Sequence, residues 1–376
     1  MTGYLDLQAL VQIIGPRFAE GAAERDAGDI FVADHYDVLT QHKVFSALVP
    51  REFGGGGVAY SAMCRFLREL AHYCPSTALA LSMHQHLVAA AVYNHRQGRP
   101  GRKLLERVAA SELVLISTGA ADWMESNGLA QRANGGFRVN ARKPFGSGSP
   151  KGGLLMTSAP FEDPDEGWQV LHFAVPFDAP GVSLGDDWQT LGMRATGSQT
   201  IVLENVFVPD DAVALRRPRG HFQPAWNVIL TVAMPLIMSV YAGIAEAAAA
   251  IGTGLAKKRM NDPTVPYLLG ELANELTKVQ LAIDDMVRLT NDFDVTMGLE
   301  VTGPMLVRKT IVADGVLATV EKALEVAGGA GFYRKAGLER LLRDAHGAQF
   351  HPLPAKRQQR FTGRIALGLD PIADAA

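Results

Sequence analysis

The chain has 376 residues, 48% hydrophobic and 20% charged, a balance that excludes bulk disorder and supports a sizeable packed core. At about 150 residues per domain this is room for two or three domains. The 36 Lys and Arg against 39 Asp and Glu leave a net charge of −3, which gives no footprint for general nucleic-acid binding.

The opening stretch, MTGYLDLQALVQIIG, has no basic region ahead of an apolar run, so it does not read as a secretion signal. Cys64 and Cys74 alone make no disulfide framework, and a reducing cytoplasm is the expected setting. Up to about Glu112 the chain reads as helical: Leu67, Leu70 and Ala71 fall at helical spacing, and the stretch from Ser76 to Asn94 continues the pattern. The run Gly54 to Gly57 interrupts it as a loop, because four glycines lose too much backbone entropy to hold a helix.

From about Leu113 to Arg217 the texture changes. LVLIS, LLMTSA, QVLHFAVPF and TIVLENVFVP read as strands, and ANGGFRVNARKPF reads as a hairpin around a Gly-Gly turn. In the last strand Ile201 and Leu203 alternate, then Val206 and Val208 do so after a slip of one residue. EDPDEG and FDAPG mark turns. The charged run Arg216–Gly220 reads as a junction, after which helical spacing returns. Leu272, Leu276, Val279, Ile283 and Met286 form one stripe; Val312, Val316, Val320, Ala323 and Ala327 form another. The small residues from Ala242 to Ala250 allow close helix approach. The apolar run from Val228 to Ala250 is broken by Pro235 and carries Glu246, so it reads as a buried helix and not a membrane span. Core packing is the ordinary account of all these stripes. The expected domains are helices over residues 1–112, a β domain over 113–218 and a helical bundle over 219–376.

Several segments in this order carry a resemblance. VPREFGGGG (Val49 to Gly57), LGMRATGSQTIVLENVFVPDD (Leu191 to Asp211), EVAGGAGF (Glu325 to Phe332) and LERLLRDA (Leu338 to Ala345) resemble motifs of the acyl-CoA dehydrogenase superfamily. The resemblance implies an α+β chain with an N-terminal helical domain, a middle β-barrel-like domain and a C-terminal four-helix bundle. It further implies FAD, with FMN the alternative, and a homotetramer with shared sites. On that basis Gly328, Gly329 and Gly331 would admit the cofactor's phosphates, with an ordinary helix end and turn as the lesser alternative. Glu325 stands where the family often has Gln, and its carboxylate must point away from a pyrophosphate. Ile116 to Gly128 falls where the family has a strand beside the flavin, and Thr118 matches a threonine there. The next strand is expected over Lys143 to Ser149, with Phe145 as the aromatic wall and Ser147 as the hydroxyl at the flavin edge. Without the resemblance Phe145 reads as core and Ser147–Ser149 as a turn.

The dehydrogenases of this family use a glutamate to take a proton while hydride passes to the flavin. Counting from Arg343-Asp344 puts that position on Pro352, and the alternative position falls near Asn227; neither side chain accepts a proton. Three readings remain. The first is dehydrogenation of an acyl-CoA thioester with another base, for which His351 is the nearest candidate because an imidazole titrates in the working range. The second is a two-component monooxygenase that uses reduced flavin and oxygen, with Ser147, Ser149 and His351 as donors. The third is a non-catalytic flavin- or acyl-binding relative. His351 also reads as a simple packing residue. The implied partners are an acyl-CoA or other small organic substrate, and a flavin reductase or an electron-transfer flavoprotein; neither nucleic acid nor membrane is expected. His84 and His86 lack companion ligands, so no metal is expected.

Overall fold

The computed structural model describes residues 5–373. Met1–Tyr4 and Asp374–Ala376 lie outside the described residues, as do the side chains of Ala120, Ala121 and Trp123. The first helical layer comprises α1 (Leu7–Ala19), α2 (Ala22–Ala27), α3 (Ala33–Gln41), α4 (Tyr60–Tyr73), α5 (Pro75–Arg96) and α6 (Arg102–Ser111). Asp6 starts α1 by accepting the backbone N–H groups of Gln8 and Ala9, which leaves Leu10, Ile14 and Phe18 on the buried face. Pro75 occupies the first turn of α5, where its missing N–H costs nothing, and almost every residue of that helix is buried. His84 and His86 both stand on this helix. His84 ties it to its surroundings: Nε2 donates to Phe45 O at 2.8 Å and Nδ1 accepts from Leu115 N at 2.9 Å.

The middle of the chain gives β1 (Leu115–Ser117), α7 (Ala120–Glu125), β2 (Leu129–Ala133), β3 (Gly136–Lys143), β4 (Leu154–Asp163), β5 (Gly167–Pro176), β6 (Val182–Leu184), β7 (Ile201–Pro209) and β8 (Val213–Pro218). They form one mixed sheet in the order β6-β7-β3-β2-β4-β5-β8, with β1 parallel to β4. The expected hairpin forms, but it turns at Asn134-Gly135, one residue before the Gly-Gly pair, because Gly136 is already paired with Ala133. The slip in β7 is real: the β3–β7 register shifts between Val139 and Ala141, and Asn205, at φ 55°, donates its N–H to the Asn140 side chain.

Three strand expectations change. Ile116 to Gly128 is strand only to Ser117 and then turns into α7, because Asp122 gathers the local donors of Thr118 and Asn127. Lys143 to Ser149 is not a strand. Pro144 has no N–H for the ladder, Phe145 has φ 63°, and Ser149 opens a short 3₁₀ turn. The charged run at Arg216–Gly220 is no bare junction: Arg216, Arg217 and Pro218 belong to β8, paired with β5. Arg217 is fully buried, with Nε donating to His172 Nε2 at 2.9 Å and its guanidinium 4.6 Å from the Trp226 ring. Burial holds the Arg217 guanidinium down at about 10 and the His172 imidazole at about 3, so His172 is the neutral acceptor of that pair.

The last helices are α8 (Ala225–Ala256), α9 (Val265–Thr290), α10 (Leu299–Ala327), α11 (Leu338–Ala345) and α12 (Ala355–Ala366). The two apolar stripes become the inner faces of α9 and α10. Helix α8 is long and apolar enough to cross a membrane, yet 94% of its most apolar window is buried inside the protein. It packs on α4 and α5 as well as on α9 and α10, and so joins the two helical layers. The approach to α4 is close: a Cβ on Gly243 would lie 2.1 Å from Arg68 O.

Candidate active site

The segment after β3 carries a directed chain of hydroxyls. Ser147 Oγ lies 2.7 Å from Ser198 Oγ, which lies 2.7 Å from Thr196 Oγ1, which lies 2.8 Å from Met193 O. A carbonyl oxygen only accepts, so the Thr196 proton points at Met193. Ser198 must then donate to Thr196, and Ser147 must donate to Ser198. Ser147 thus has lone pairs left to offer and no proton. Ser149, expected beside it as a donor, is buried and gives its proton to Gly197 O at 3.1 Å. The hydroxyls that sequence reasoning missed are Thr196 and Ser198, although both lie inside the segment that carries the resemblance.

Phe145 stands next to this chain. Its side chain is 55% exposed, and a positive φ in a bulky residue is strained. It leans edge-on against Trp188 at 5.9 Å, and Trp188 Nε1 donates to the same Met193 O at 3.2 Å. Gly119 lies under the ring; a Cβ there would sit 3.2 Å from Phe145 Cδ2. The result is a strained, open aromatic wall beside an acceptor hydroxyl. Thr118, expected beside the flavin, gives its hydroxyl proton to Asp122 Oδ2 at 2.6 Å. Asp122 also pairs with the fully buried Lys143, whose Nζ donates to Asn127 O at 2.9 Å.

His351 sits in the turn between α11 and α12. Its Nε2 is 2.8 Å from the hydroxyl of Tyr241 on α8. Burial raises the tyrosine pKa well above its ordinary value, so Tyr241 keeps its proton. Its one hydrogen-bond partner among the described residues is His351. A buried hydroxyl must donate, so Nε2 accepts and the imidazole proton resides on Nδ1. Burial, aided by the charge of Lys309, holds His351 down at about 3. The expectation that it titrates in the working range is therefore corrected: His351 is a neutral donor. Lys309 on α10, lowered by burial to about 8, donates to Leu353 O at 3.1 Å and braces the turn. The turn meets the hydroxyl chain at Met193: the Asp344 carboxylate accepts the Met193 N–H, and a Cβ on Gly347 would lie 2.5 Å from Tyr241 Oη and 3.5 Å from Met193 Cγ. Pro352 stands in the turn and Asn227 is buried on α8. Two nearby carboxylates are committed, Asp344 to Met193 and Glu125 to Arg357.

The glycine segment is separate within one chain. Gly328 ends α10 at φ 61°, so the reading of a helix end holds for this residue. It faces Arg259, whose Nη1 would be 2.8 Å from a Cβ there. Arg259 Nη2 donates to Val326 O at 2.6 Å, while its buried Nε has no hydrogen-bond partner among the described residues. Gly329 is open and Gly331 packs on Ala327 and Leu338. Glu325 is paired with Lys322 at 2.6 Å, which takes its carboxylate to another cation. An arginine with an unmet donor over a bare glycine turn fits a phosphate, and the Phe145 wall with Ser147 fits a flat heteroaromatic ring. Among the described residues no group of three or more His, Cys, Asp or Glu could hold a metal ion.

Residues 8–112 match the family described as acyl-CoA dehydrogenase, N-terminal domain, and residues 236–354 match acyl-CoA dehydrogenase, C-terminal domain. L-evernosamine nitrososynthase of Micromonospora is 28% identical over 94% of this chain and 88% of its own length. The putative acyl-CoA dehydrogenase YdbM of Bacillus subtilis is 25% identical over 90% of this chain and 91% of its own. The structure of KijD3 in complex with FMN and a dTDP-linked amino sugar superposes with a TM-score of 0.87 at 27% identity, covering 97% of this chain and 93% of that one. Together with the helix–sheet–helix order and the motifs from Val49 to Ala345, these matches mean that the chain belongs to the acyl-CoA dehydrogenase superfamily of flavin-dependent oxidoreductases.

Proposed function

We propose that the protein is a flavin-dependent monooxygenase that takes its flavin already reduced, from a separate reductase, and oxidises a small organic substrate with oxygen. The observation that supports this reading is the direction of the hydroxyl chain. Oxidised flavin presents a lone pair at the central nitrogen of its ring edge, whereas reduced flavin presents an N–H there. Ser147, its proton spent on Ser198, is suited to the N–H. The uncharged turn agrees: Pro352 and Asn227 cannot remove a proton, while His351 offers an Nδ1–H that stays in place across the working pH range. Bound reduced flavin supplies two electrons, so that one atom of O2 enters the substrate and the other leaves as water.

The chain's own residues do the rest. Phe145 and Trp188 wall off one ring face, Ser147 accepts at the ring edge, and Tyr241 fixes the tautomer by which His351 donates. Arg259 and the Gly328–Gly331 turn would hold the phosphate end of FAD or FMN. The exposed Phe332 (89%) and Tyr333 beside that turn favour a second copy of the chain covering it, in a homo-oligomer with shared sites.

Anaerobic titration with FMN tests the reading. Reduced FMN should bind about ten times more tightly than oxidised FMN, a difference of about 1.4 kcal/mol. In Ser198→Ala, Ser147 is free to turn its proton outward and the preference should fall toward equality. Oxygen uptake should require an added flavin reductase. Tight binding of oxidised flavin that an acyl-CoA bleaches, with no change in Ser198→Ala, would return the protein to the dehydrogenases.

A further inference from the structure

Helix α11 leads into the turn that carries His351, and its C-terminal end also grips the loop that precedes the hydroxyl chain. Three contacts make the grip. Arg343 donates to Leu191 O at 3.1 Å. Gly192 lies flat against the helix, where a Cβ would stand 2.2 Å from Arg343 O. The Asp344 carboxylate accepts the Met193 N–H at 2.5 Å. Met193 itself has φ 55° and ψ 32°, in the left-handed region. A residue with a side chain is strained there and stays only where its surroundings impose the conformation. We propose that Asp344 is a positioning residue for the flavin edge: by holding Met193 in this conformation it aims the carbonyl that directs every proton in the chain from Thr196 to Ser147.

The Met193 carbonyl is a hub. It accepts from Thr196 N at 3.1 Å, from Thr196 Oγ1 at 2.8 Å and from Trp188 Nε1 at 3.2 Å. Trp188 is also the edge-on neighbour of Phe145. One backbone oxygen therefore orders both the acceptor hydroxyl and the aromatic wall. Its direction is set by the φ and ψ of Met193, hence by the group that fixes the Met193 N–H. A Met193 relaxed to the right-handed region would swing its carbonyl away and leave Thr196 Oγ1 without an acceptor. The hydroxyls could then reverse, with Ser147 donating outward.

Stability does not account for a carboxylate at this place. Asp344 is 3% exposed, and burial raises it to about 6, so its charge burdens the fold at neutral pH. The neighbouring Arg343 gives little relief, because its guanidinium is committed to Asp26 and Glu339. A buried charge whose hydrogen-bond partner is a strained residue fits a site where position is maintained against stability.

Asp344 acts on the flavin only if Ser147 meets the ring edge as an acceptor, so the proposal rests on that reading, and two measurements keep the two apart. The first is the pair of dissociation constants for reduced and oxidised FMN, taken anaerobically at pH 8. Asp344→Leu keeps the bulk of the side chain and removes the acceptor; the preference for reduced FMN should fall from about tenfold to within about twofold of equality. Asp344→Asn still offers an oxygen to the Met193 N–H and should keep a preference of at least about fivefold. Ser198→Ala added to Asp344→Leu should cost nothing further, because both changes act through one chain of hydroxyls. The second measurement is hydrogen exchange over residues 191–199 in flavin-free protein. Exchange should be at least about tenfold faster in Asp344→Leu and about threefold faster in Asp344→Asn, where a neutral bond replaces a charge-assisted one. The asparagine variant thus carries the test if the leucine variant does not fold. A preference retained in Asp344→Leu, or lost equally in Asp344→Asn, overturns the role of Asp344 and leaves the flavin reading standing. A parent with no preference for reduced FMN overturns the flavin reading; exchange unchanged in both variants then shows that Asp344 does not hold the loop either.

Discussion

At the residue scale, the site is governed by where protons are, and hydrogen-bond geometry together with burial decides that. The carbonyl of Met193 forces each hydroxyl from Thr196 to Ser147 to donate inward. The buried Tyr241 hydroxyl forces the proton of His351 onto Nδ1. His351→Leu removes the neutral Nδ1–H donor and offers no other, and turnover should fall by about a hundredfold, the scale of one lost catalytic donor. Flavin binding should persist within about twofold by equilibrium dialysis. The parent's turnover should show no ionisation near pH 6.5 from this histidine, because burial keeps it neutral from neutral pH down to about 3. Unchanged turnover in the leucine variant would remove His351 from the mechanism.

At the element scale, α8 does two jobs. It supplies Tyr241 to the site and packs both helical layers together. The contact with α4 depends on Gly243, where any side chain would strike the Arg68 carbonyl. Nearby, Arg68 pairs with Glu246 and with Asp284, which fixes α4, α8 and α9 against each other. Gly243→Val should destabilise the protein by about 3 kcal/mol, the upper range for overpacking a tight core. Chemical denaturation followed by circular dichroism measures it; a midpoint equal to the parent's would show that the helices separate at little cost. The small-residue stretch from Ala242 to Ala250 made close approach legible in the sequence. The partner helix was not legible, since α4 lies more than 160 positions away in the chain.

At the scale of the whole molecule, the buried histidines link stability to pH. Burial lowers His84 and His86 to about 4 from an ordinary 6.5. The unfolded chain therefore binds protons that the folded chain refuses. Stability is intact above pH 6.5 and is lost as pH falls from 6.5 toward 4. Each of these two groups removes about 2 kcal/mol by pH 5. Asp344 works in the opposite sense: burial raises it from 3.8 to about 6, so its burden on the fold eases as pH falls through that range. The histidines outnumber it, and the denaturation midpoint should drop between pH 7 and pH 5. His84→Gln should make that drop shallower, and an equal slope in parent and variant would mean that the acid response lies elsewhere.

The order of helices, sheet and helices was readable from periodicity, because an apolar residue every third or fourth position, or every second, is dictated locally by which face must leave water. The pairing of β2 with β3, the slip in β7 and the inner faces of α9 and α10 all followed from that rule, while the hairpin's turn fell one residue before the Gly-Gly pair. The family motifs likewise marked Phe145, Ser147 and His351 as places to look. The absence of a carboxylate at Pro352 and Asn227 was also visible. Tertiary structure decided what surrounds those residues. Asp122 and Lys143 turned an expected strand into α7, and a long-range partner in β5 took Arg216–Pro218 into the sheet. Tyr241, Lys309 and Ser198 came to their places from elements far apart in sequence, and Arg259 came to the separate glycine turn, through contacts that carry no local periodicity. Burial then set the protonation of His351 and the direction of Ser147, since only the surrounding low-dielectric packing determines which polar group must give its proton to which.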